Sequence, residues 1–156
     1  MNQKLPYRRC VAMFVYYKNK IFAGERSDTA GAWQCPQGGI EEDEDIIDAA
    51  RRELKEETGI VSVNFLKKTD TPLKYNFTDE SQKNCIKKYG SLKYAGQEVT
   101  FVVFNFIGNE SEINLEATSP KEFSNWCWMD LKILLDNLVD FKKDVFMQAA
   151  HQLELI

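Results

Sequence analysis

The chain of 156 residues is 44% hydrophobic and 28% charged, with a formal net charge of −4. This length suits one domain with its own apolar core, and the composition excludes disordered, collagen-like and coiled-coil proteins. The acidity is local, because residues 41–57 hold nine acids and three bases, which leaves a net charge of +2 for the rest of the chain. The overall charge therefore indicates little about partners.

The apolar run from Val11 to Tyr17 is too short to span a membrane, and no small-residue cleavage site follows it. We predict a buried strand there and a cytoplasmic protein. The four cysteines form no Cys-x-x-Cys pair and have no zinc-site spacing, so we expect reduced, mostly structural thiols. The only histidine, His151, is accompanied by no serine or cysteine motif, so no histidine-based site is expected.

Runs rich in β-branched and aromatic residues predict five strands, at residues 9–17, 20–23, 61–68, 98–107 and 125–129. The first two flank Lys18-Asn19, which predicts a hairpin turn. Apolar periodicity predicts helices at residues 45–58, 131–138 and 142–155. This order of elements favours an α+β fold in which a mixed sheet lies between helical layers.

A basic, exposed loop is predicted around residues 90–96, with four lysines on or near it: Lys83, Lys87, Lys88 and Lys93. Solubility is the simpler explanation for these charges, and contact with a ligand is the alternative.

The predicted helix at 45–58 is preceded by Asp43, a candidate N-cap, and followed by Gly59, a natural C-terminal stop. One side of it is apolar, with Ile47, Ala50 and Leu54 in a stripe that should face the core. The opposite side should face solvent and bears Asp48, Arg51 and Lys55.

Glu53, Glu56 and Glu57 are spaced i, i+3, i+4 and share a face beside the apolar stripe. Like charges at this spacing destabilise a helix by roughly 0.2–0.5 kcal/mol per pair. Arg52 can reach Glu56, but one arginine does not neutralise three carboxylates. All-oxygen ligation favours Mg²⁺ or Mn²⁺, and Mg²⁺ commonly takes substrate phosphates as further ligands. The cluster therefore indicates phosphate chemistry. A solvated acidic face is the alternative, although it leaves the Gly38-Gly39 pair unexplained.

Residues 38–60 as a whole resemble a complete Nudix box. Gly38 and Glu44 stand at the fixed distances from the run Arg-Glu-Leu-Lys-Glu-Glu-Thr-Gly-Ile that closes the stretch. The resemblance implies a single Nudix hydrolase domain over residues 1–156, with an α/β/α sandwich, a mixed sheet and the Nudix loop-helix-loop. The sequences at 33–39, 120–123 and 141–145 extend it to the bacterial RNA pyrophosphohydrolase and dinucleoside polyphosphate hydrolase branch.

By this resemblance, divalent metal would be bound by Glu53, Glu56 and Glu57. The Gly38 carbonyl and Glu122 are further candidate ligands. The implied cofactor is Mg²⁺, for which Mn²⁺ or another divalent cation could substitute. Arg52 would support the catalytic helix by a salt bridge to one of its carboxylates. The general base would be Glu56 or Glu53, with Glu122 as a third candidate.

The resemblance also implies substrate contacts. Phosphates would be bound by Arg8, Gln37 and Lys142, while Tyr75 and Gln97 would line the pocket. Val139 and Phe141 would offer an apolar face to a base, and core packing is the alternative for Phe141. Arg26 is followed by Ser27 where the branch has paired arginines, so one base-clamping arginine is missing.

The activity implied is metal-dependent hydrolysis of nucleoside polyphosphates. The first candidate is conversion of 5′-triphosphorylated RNA to 5′-monophosphorylated RNA and pyrophosphate, with a role in mRNA decay. Hydrolysis of a dinucleoside polyphosphate such as diadenosine tetraphosphate is the alternative, and a non-catalytic nucleotide- or RNA-binding module is the alternative of another class. The expected partner is the substrate, with neither a membrane nor DNA, and the oligomeric state is open.

Overall fold

Eight strands form one mixed sheet in the computed structural model, which describes residues 5–117, 120–138 and 140–156. The strands are β1 (Tyr7–Tyr17), β2 (Lys20–Arg26), β3 (Trp33–Gln34), β4 (Gln37–Gly39), β5 (Val63–Lys68), β6 (Leu73–Asn76), β7 (Gly96–Phe106) and β8 (Phe123–Met129). The helices are α1 (Ile46–Thr58), α2 (Asp79–Tyr89), α3 (Leu131–Asn137) and α4 (Asp140–Gln152).

The sheet order is β3-β2-β1-β7-β5, with β4 paired to β1, β6 to β7 and β8 to β2. The β1–β7 pair is parallel and the other pairs are antiparallel, so the sheet is mixed as predicted. A crossover containing α1 is compatible with that parallel pair, because parallel neighbours need a long connection.

Both faces of β1 are buried, which is why its sequence is a continuous apolar run rather than an alternating one. Val11, Met13 and Val15 belong to a cluster shared with α1. Ala12 and Phe14 belong to a second cluster, which contains residues of α3 and α4. The sheet therefore lies between two helical layers, which confirms the predicted α/β/α sandwich.

The hairpin predicted at Lys18-Asn19 is present, with Tyr17 paired to Lys20. Both turn residues have positive φ, 50° and 66°. Two-residue turns of this kind match the right-handed twist of the strands that they join.

Helix α1 begins at Ile46, and Asp45 is its N-cap, accepting hydrogen bonds from the backbone N–H groups of Ile47 and Asp48. The expectation that Asp43 caps the helix is wrong, because Asp43 lies in the preceding turn with φ of 63°. The predicted stop is confirmed. Gly59 adopts φ of 79° and donates its N–H to the Lys55 carbonyl.

Helix α2 was not predicted, and three of the lysines assigned to a loop, Lys83, Lys87 and Lys88, lie on it. It has no buried residue, so its sequence lacks the apolar stripe on which helix prediction depends. Its local signals are the caps, with Thr78 at the N-terminus and Gly90 in the left-handed region at the C-terminus.

The remaining differences from the predicted elements lie at short strands and at element ends. Strands β3, β4 and β6 have two to four residues and were not predicted. Helix α4 begins at Asp140 rather than Lys142 and ends at Gln152. Among the described helices, none combines the length and the apolar composition that crossing a bilayer requires.

Candidate functional site

The predicted metal-binding region forms where β4 meets α1 and the start of β1. In the β1–β4 pair, Gly38 lies opposite Val11 and Gly39 opposite Cys10. A Cβ at Gly38 would overlap the Glu53 carboxyl group, and one at Gly39 would lie 2.6 Å from a guanidinium nitrogen of Arg8. The glycine pair thus lets a helix carboxylate and a strand arginine approach the same short strand.

Arg52 connects four parts of this region. Its Nε and Nη2 donate to Glu44 Oε2 and Oε1 at 2.8 and 2.9 Å, and Nη2 also donates to the Gly39 carbonyl at 2.9 Å. Nη1 lies 2.9 Å from Glu53 Oε1 and 3.4 Å from Glu56 Oε1. The predicted reach to Glu56 is present, but the shorter bonds go to Glu44, Gly39 and Glu53.

Sequence reasoning did not assign Glu44 a site contact, although its fixed position in the box was a usable signal. The hydrogen bonds from Arg52 lower the pKa of Glu44 to about 2 and raise that of Arg52. The pair is therefore charged at any ordinary pH.

The three helix glutamates differ in their surroundings. Glu56 is exposed, whereas Glu53 and Glu57 are half-buried. Burial, together with the charges of Glu122 and Glu53, raises the pKa of Glu57 to about 9, although a hydrogen bond from the Gln37 N–H at 3.2 Å acts in the opposite direction. Burial also raises the pKa of Glu53, against the stabilising charge of Arg52. The protein by itself thus does not fully stabilise the charged forms of Glu53 and Glu57.

Glu122 directly precedes β8 and is far from α1 in sequence, but its charge affects the pKa of a glutamate on that helix. Its charge acts on Glu57 and on Lys142. Its backbone carbonyl accepts a hydrogen bond from the Ser27 N–H at 3.0 Å, which ties it to the end of β2. The structure therefore brings this predicted residue to the same side of the molecule as the helix glutamates.

The donor chemistry of this region fits a hard divalent cation, because the candidate ligands are carboxylate and backbone carbonyl oxygens. Within the described residues, no three acidic, histidine or cysteine side chains form a closed coordination set. Glu53 is instead turned to Arg52 and Glu57 to the Gln37 N–H.

Next to the glutamates lies an open cavity of about 740 Å³. It is lined by six residues predicted to bind substrate: Arg8, Arg26, Gln37, Tyr75, Gln97 and Lys142. They come from five strands and one helix, so only the tertiary structure brings them together. The predictions for Val139 and for the side chain of Phe141 lie outside the described residues.

Polar contacts organise the floor of this cavity. Tyr75 and Gln97 are paired across β6 and β7, and the Tyr75 hydroxyl donates to Gln97 Oε1 at 2.5 Å. Burial lowers the pKa of Lys142, as does the nearby positive charge of Arg26, while Glu122 opposes the shift. Arg26 is also paired with Asp28, at 2.6 Å, but Lys142, Arg26 and Arg8 together give the cavity lining a positive charge that favours an anionic ligand.

For the outer wall of the cavity, sequence reasoning gave ligand contact only as the alternative to solubility, and only for its lysines. That wall consists of α2 and the loop after it, and its lining includes Asn84, Cys85, Tyr89, Lys93 and Tyr94. The lysines and tyrosines were visible in the sequence, but nothing local indicated that they face a cavity.

A second cavity of about 500 Å³ lies beside the glutamates and is lined by Arg52, Glu53 and Gly39, among others. Arg8 and Tyr94 line both cavities. The acidic helix and the cationic cavity are thus joined through these two side chains.

The chain resembles known proteins both in sequence and in fold. A family model described as "NUDIX domain" matches residues 6–149. An RNA pyrophosphohydrolase of Dinoroseobacter shibae is 40% identical over 149 residues, covering 93% of this chain and 90% of that protein. One of Pelagibacter ubique is 38% identical over 154 residues, covering 97% and 94%. The structure of the E. coli dihydroneopterin triphosphate pyrophosphohydrolase superposes with a TM-score of 0.67 at 16% identity, covering 92% and 96%.

Proposed function

We propose that this chain, which belongs to the NUDIX family, is an RNA 5′ pyrophosphohydrolase. It would convert 5′-triphosphorylated RNA and water to 5′-monophosphorylated RNA and pyrophosphate. The observation that supports this best is the junction of a cationic, nucleotide-sized cavity with a carboxylate cluster through Arg8. The names of the curated relatives support the choice of substrate.

The polyphosphate would lie between the two cavities. Arg8 borders both, and the side chains of Arg26, Lys142 and Gln37 line the larger one. Arginine and lysine bind phosphate oxygens by charge-assisted hydrogen bonds. An incoming phosphate would also relieve the repulsion between Arg26 and Lys142. The base of a nucleotide near the 5′ end would then occupy the larger cavity.

The carboxylates would provide the reaction centre. Glu53, Glu56 and Glu57 would hold Mg²⁺, or Mn²⁺ in its place, with the Gly38 carbonyl and Glu122 as further candidate ligands. A bound divalent cation neutralises phosphate charge and lowers the pKa of a coordinated water. Its charge would also keep Glu57 ionised despite burial, because an opposite charge favours the charged form of a carboxyl group.

One carboxylate would take the proton as water attacks and the bond between the α- and β-phosphates breaks. Glu56 is favoured because it is exposed and its contact with Arg52, at 3.4 Å, is longer than the 2.9 Å contact of Glu53, while Glu57 accepts a backbone hydrogen bond. Glu53 and Glu122 remain the alternatives. Arg52 would act by fixing α1 against β4 rather than by touching the substrate.

A dinucleoside polyphosphate is the second candidate substrate, because two contiguous cavities leave room for a nucleoside on either side of a phosphate chain. The test compares kcat/KM for a triphosphorylated oligonucleotide, diadenosine tetraphosphate and nucleoside triphosphates, each with Mg²⁺ and with Mn²⁺. A higher value for the oligonucleotide supports the proposal. A higher value for diadenosine tetraphosphate overturns it in favour of the second candidate, and no turnover of any substrate favours a binding module.

The cell context follows from the same proposal. Removal of pyrophosphate from transcripts would place the protein in mRNA decay in the cytoplasm. The four free cysteines of the described residues are in keeping with a reducing compartment.

A further inference from the structure

The outer wall of the larger cavity, residues 79–94, comprises α2 and the loop that follows it and is called here the α2 wall. The proposed roles above use none of its side chains. Helix α2 has no buried residue, so the core does not require its particular side chains. One of its faces nevertheless lines the cavity, through Glu80, Ser81, Asn84, Cys85 and Tyr89.

An exposed basic side chain, Lys88, extends this helix face beyond the residues that line the cavity. Lys88 follows Ser81 by seven residues and Asn84 by four, so it shares their helix face. Its Nζ lies 5.2 Å from the centre of the Tyr89 ring. Lys83 is about 160° around the helix from Ser81 and about 100° from Asn84, so it is directed away from the centre of this face, although it neighbours Glu80 at the edge.

The loop brings a basic and an aromatic side chain to the junction of the cavities. Lys93 and Tyr94 line the larger cavity, and Tyr94 also lines the smaller one, beside Arg8. The two tyrosines are exposed, Tyr89 by 67% and Tyr94 by 36%. A surface that served only for solubility would not need large aromatic rings facing a cavity.

We propose that the α2 wall binds the RNA chain that follows the reacting 5′ end, with Tyr89 and Tyr94 stacking on bases and Lys88 and Lys93 contacting phosphodiester groups. Stacking platforms interleaved with cations are how proteins bind single-stranded RNA without reading its sequence. The Tyr94 end of the α2 wall lies at the junction of the two cavities, where the polyphosphate would bind. An RNA chain that leaves this point would therefore run along the wall. This inference rests on the proposed function.

Such a wall separates RNA from smaller substrates. A nucleoside triphosphate and a dinucleoside polyphosphate contain no phosphodiester-linked chain, so they gain little from contacts beyond the first nucleotide. The wall would therefore make kcat/KM rise with the length of a triphosphorylated RNA over the first few nucleotides.

The test uses the full chain and 3′-labelled, 5′-monophosphorylated oligonucleotides, whose binding is followed by fluorescence anisotropy and does not depend on turnover. The Lys88→Gln, Lys93→Gln double variant should weaken binding of an octanucleotide more than that of a dinucleotide. It should also reduce the slope of log K against log salt by about 1.4, because each phosphate that a lysine no longer neutralises lowers it by about 0.7. Lys83→Gln is the matched control, directed away from the centre of the cavity-facing side of α2, and should leave both quantities unchanged.

The tyrosines are tested by a conservative pair of variants. Tyr89→Ala should weaken octanucleotide binding about fivefold to tenfold, and Tyr89→Phe should restore it, because stacking needs the ring and not the hydroxyl. Melting temperatures of all variants check that each is folded, which is expected because α2 is exposed.

The inference would be overturned if the wild type bound the dinucleotide and the octanucleotide equally well and the double variant bound both as the wild type does. The proposed function would not be affected by that result. The inference would also be overturned if the double variant and Lys83→Gln lost the same amount of affinity, because the loss would then reflect the overall charge of the protein and not a specific surface. Failure of the proposed function is seen separately, in unmodified protein that turns over diadenosine tetraphosphate but no triphosphorylated RNA. That result would overturn the inference as well.

Discussion

Arg52 and Glu44 form a two-pronged ion pair, with Nε and Nη2 of the guanidinium at 2.8 and 2.9 Å from the two carboxylate oxygens. The pair joins the turn before α1 to the middle of that helix. The same guanidinium reaches the Gly39 carbonyl and Glu53, so one side chain fixes the helix, the turn and the glycine strand relative to one another.

Replacing Arg52 by lysine should weaken divalent-cation binding by about 10- to 100-fold, the usual effect of removing a group that orients metal ligands. Lysine keeps the charge but cannot provide the planar fork that Glu44 accepts. Calorimetric titration with Mn²⁺ measures the affinity. Arg51→Lys is the control, since Arg51 is exposed and its Nη1 donates to the Val63 carbonyl, away from the glutamates. Unchanged affinity in Arg52→Lys would mean that the fork does not position the ligands.

Gly38→Ala should abolish most activity, by about 10²-fold or more, because the added methyl group would occupy the place of the Glu53 carboxyl. The variant should stay folded, since the displaced group is a side chain at the rim of the core. Gly31→Ala is the control for backbone strain: nothing lies within 4 Å of a Cβ there, but φ is 81°, so it should cost some stability and leave kcat/KM largely unchanged. Near-native kcat/KM in Gly38→Ala would show that Glu53 has room to move without loss of function.

Stability should depend on pH through Glu57. Because the folded-state pKa is raised, the neutral form is favoured, and stability is lost as pH rises from the unfolded-state value of about 4.3 to the folded value of about 9. The melting temperature of the metal-free protein should therefore fall across this window, and Glu57→Gln should flatten the fall. The control Glu116→Gln, at an exposed position, should leave the fall in melting temperature unchanged. Added Mg²⁺ should stabilise the wild type most at the alkaline end, and the reverse pH trend would contradict the assignment.

Glu56→Gln should reduce kcat by about 10²–10⁴-fold if this carboxylate takes the proton. Mn²⁺ affinity measured beside the rate separates proton transfer from ligation, since loss of a base leaves the affinity largely intact. Asp48→Asn changes the same charge on the exposed face of the same helix and should have little effect. If Glu56→Gln keeps near-native turnover, the base is Glu53 or Glu122.

Lys142→Gln should raise KM for triphosphorylated RNA by about tenfold or more, as expected for loss of a charged hydrogen bond to phosphate. Lys143→Gln is a close control, because Lys143 pairs with Asp136 at 3.5 Å and does not line the cavity. Steady-state kinetics of both variants provide the measurement. Equal KM values for the two variants would place Lys142 outside the phosphate site.

The spacing of residues within α1 determined much of the catalytic region. The i, i+3, i+4 glutamates, the stop at Gly59 and the reach of Arg52 to Glu56 all depend on helix geometry, which is local and periodic. The capping residue was predicted two positions too early, at Asp43 instead of Asp45, because several acids in a row offer the same capping chemistry.

The sequence by itself therefore determined the mixed sheet between helical layers, the acidic helix and the residue types suited to phosphate. The tertiary structure alone decided that Arg26, Tyr75, Gln97 and Lys142 line one cavity. It also decided that Glu122 acts on Glu57 and that an exposed helix forms the cavity wall. The physical reason is that helix and hairpin contacts depend on neighbours a few residues apart, whereas contacts between distant elements depend on sheet order and register, which no local pattern encodes.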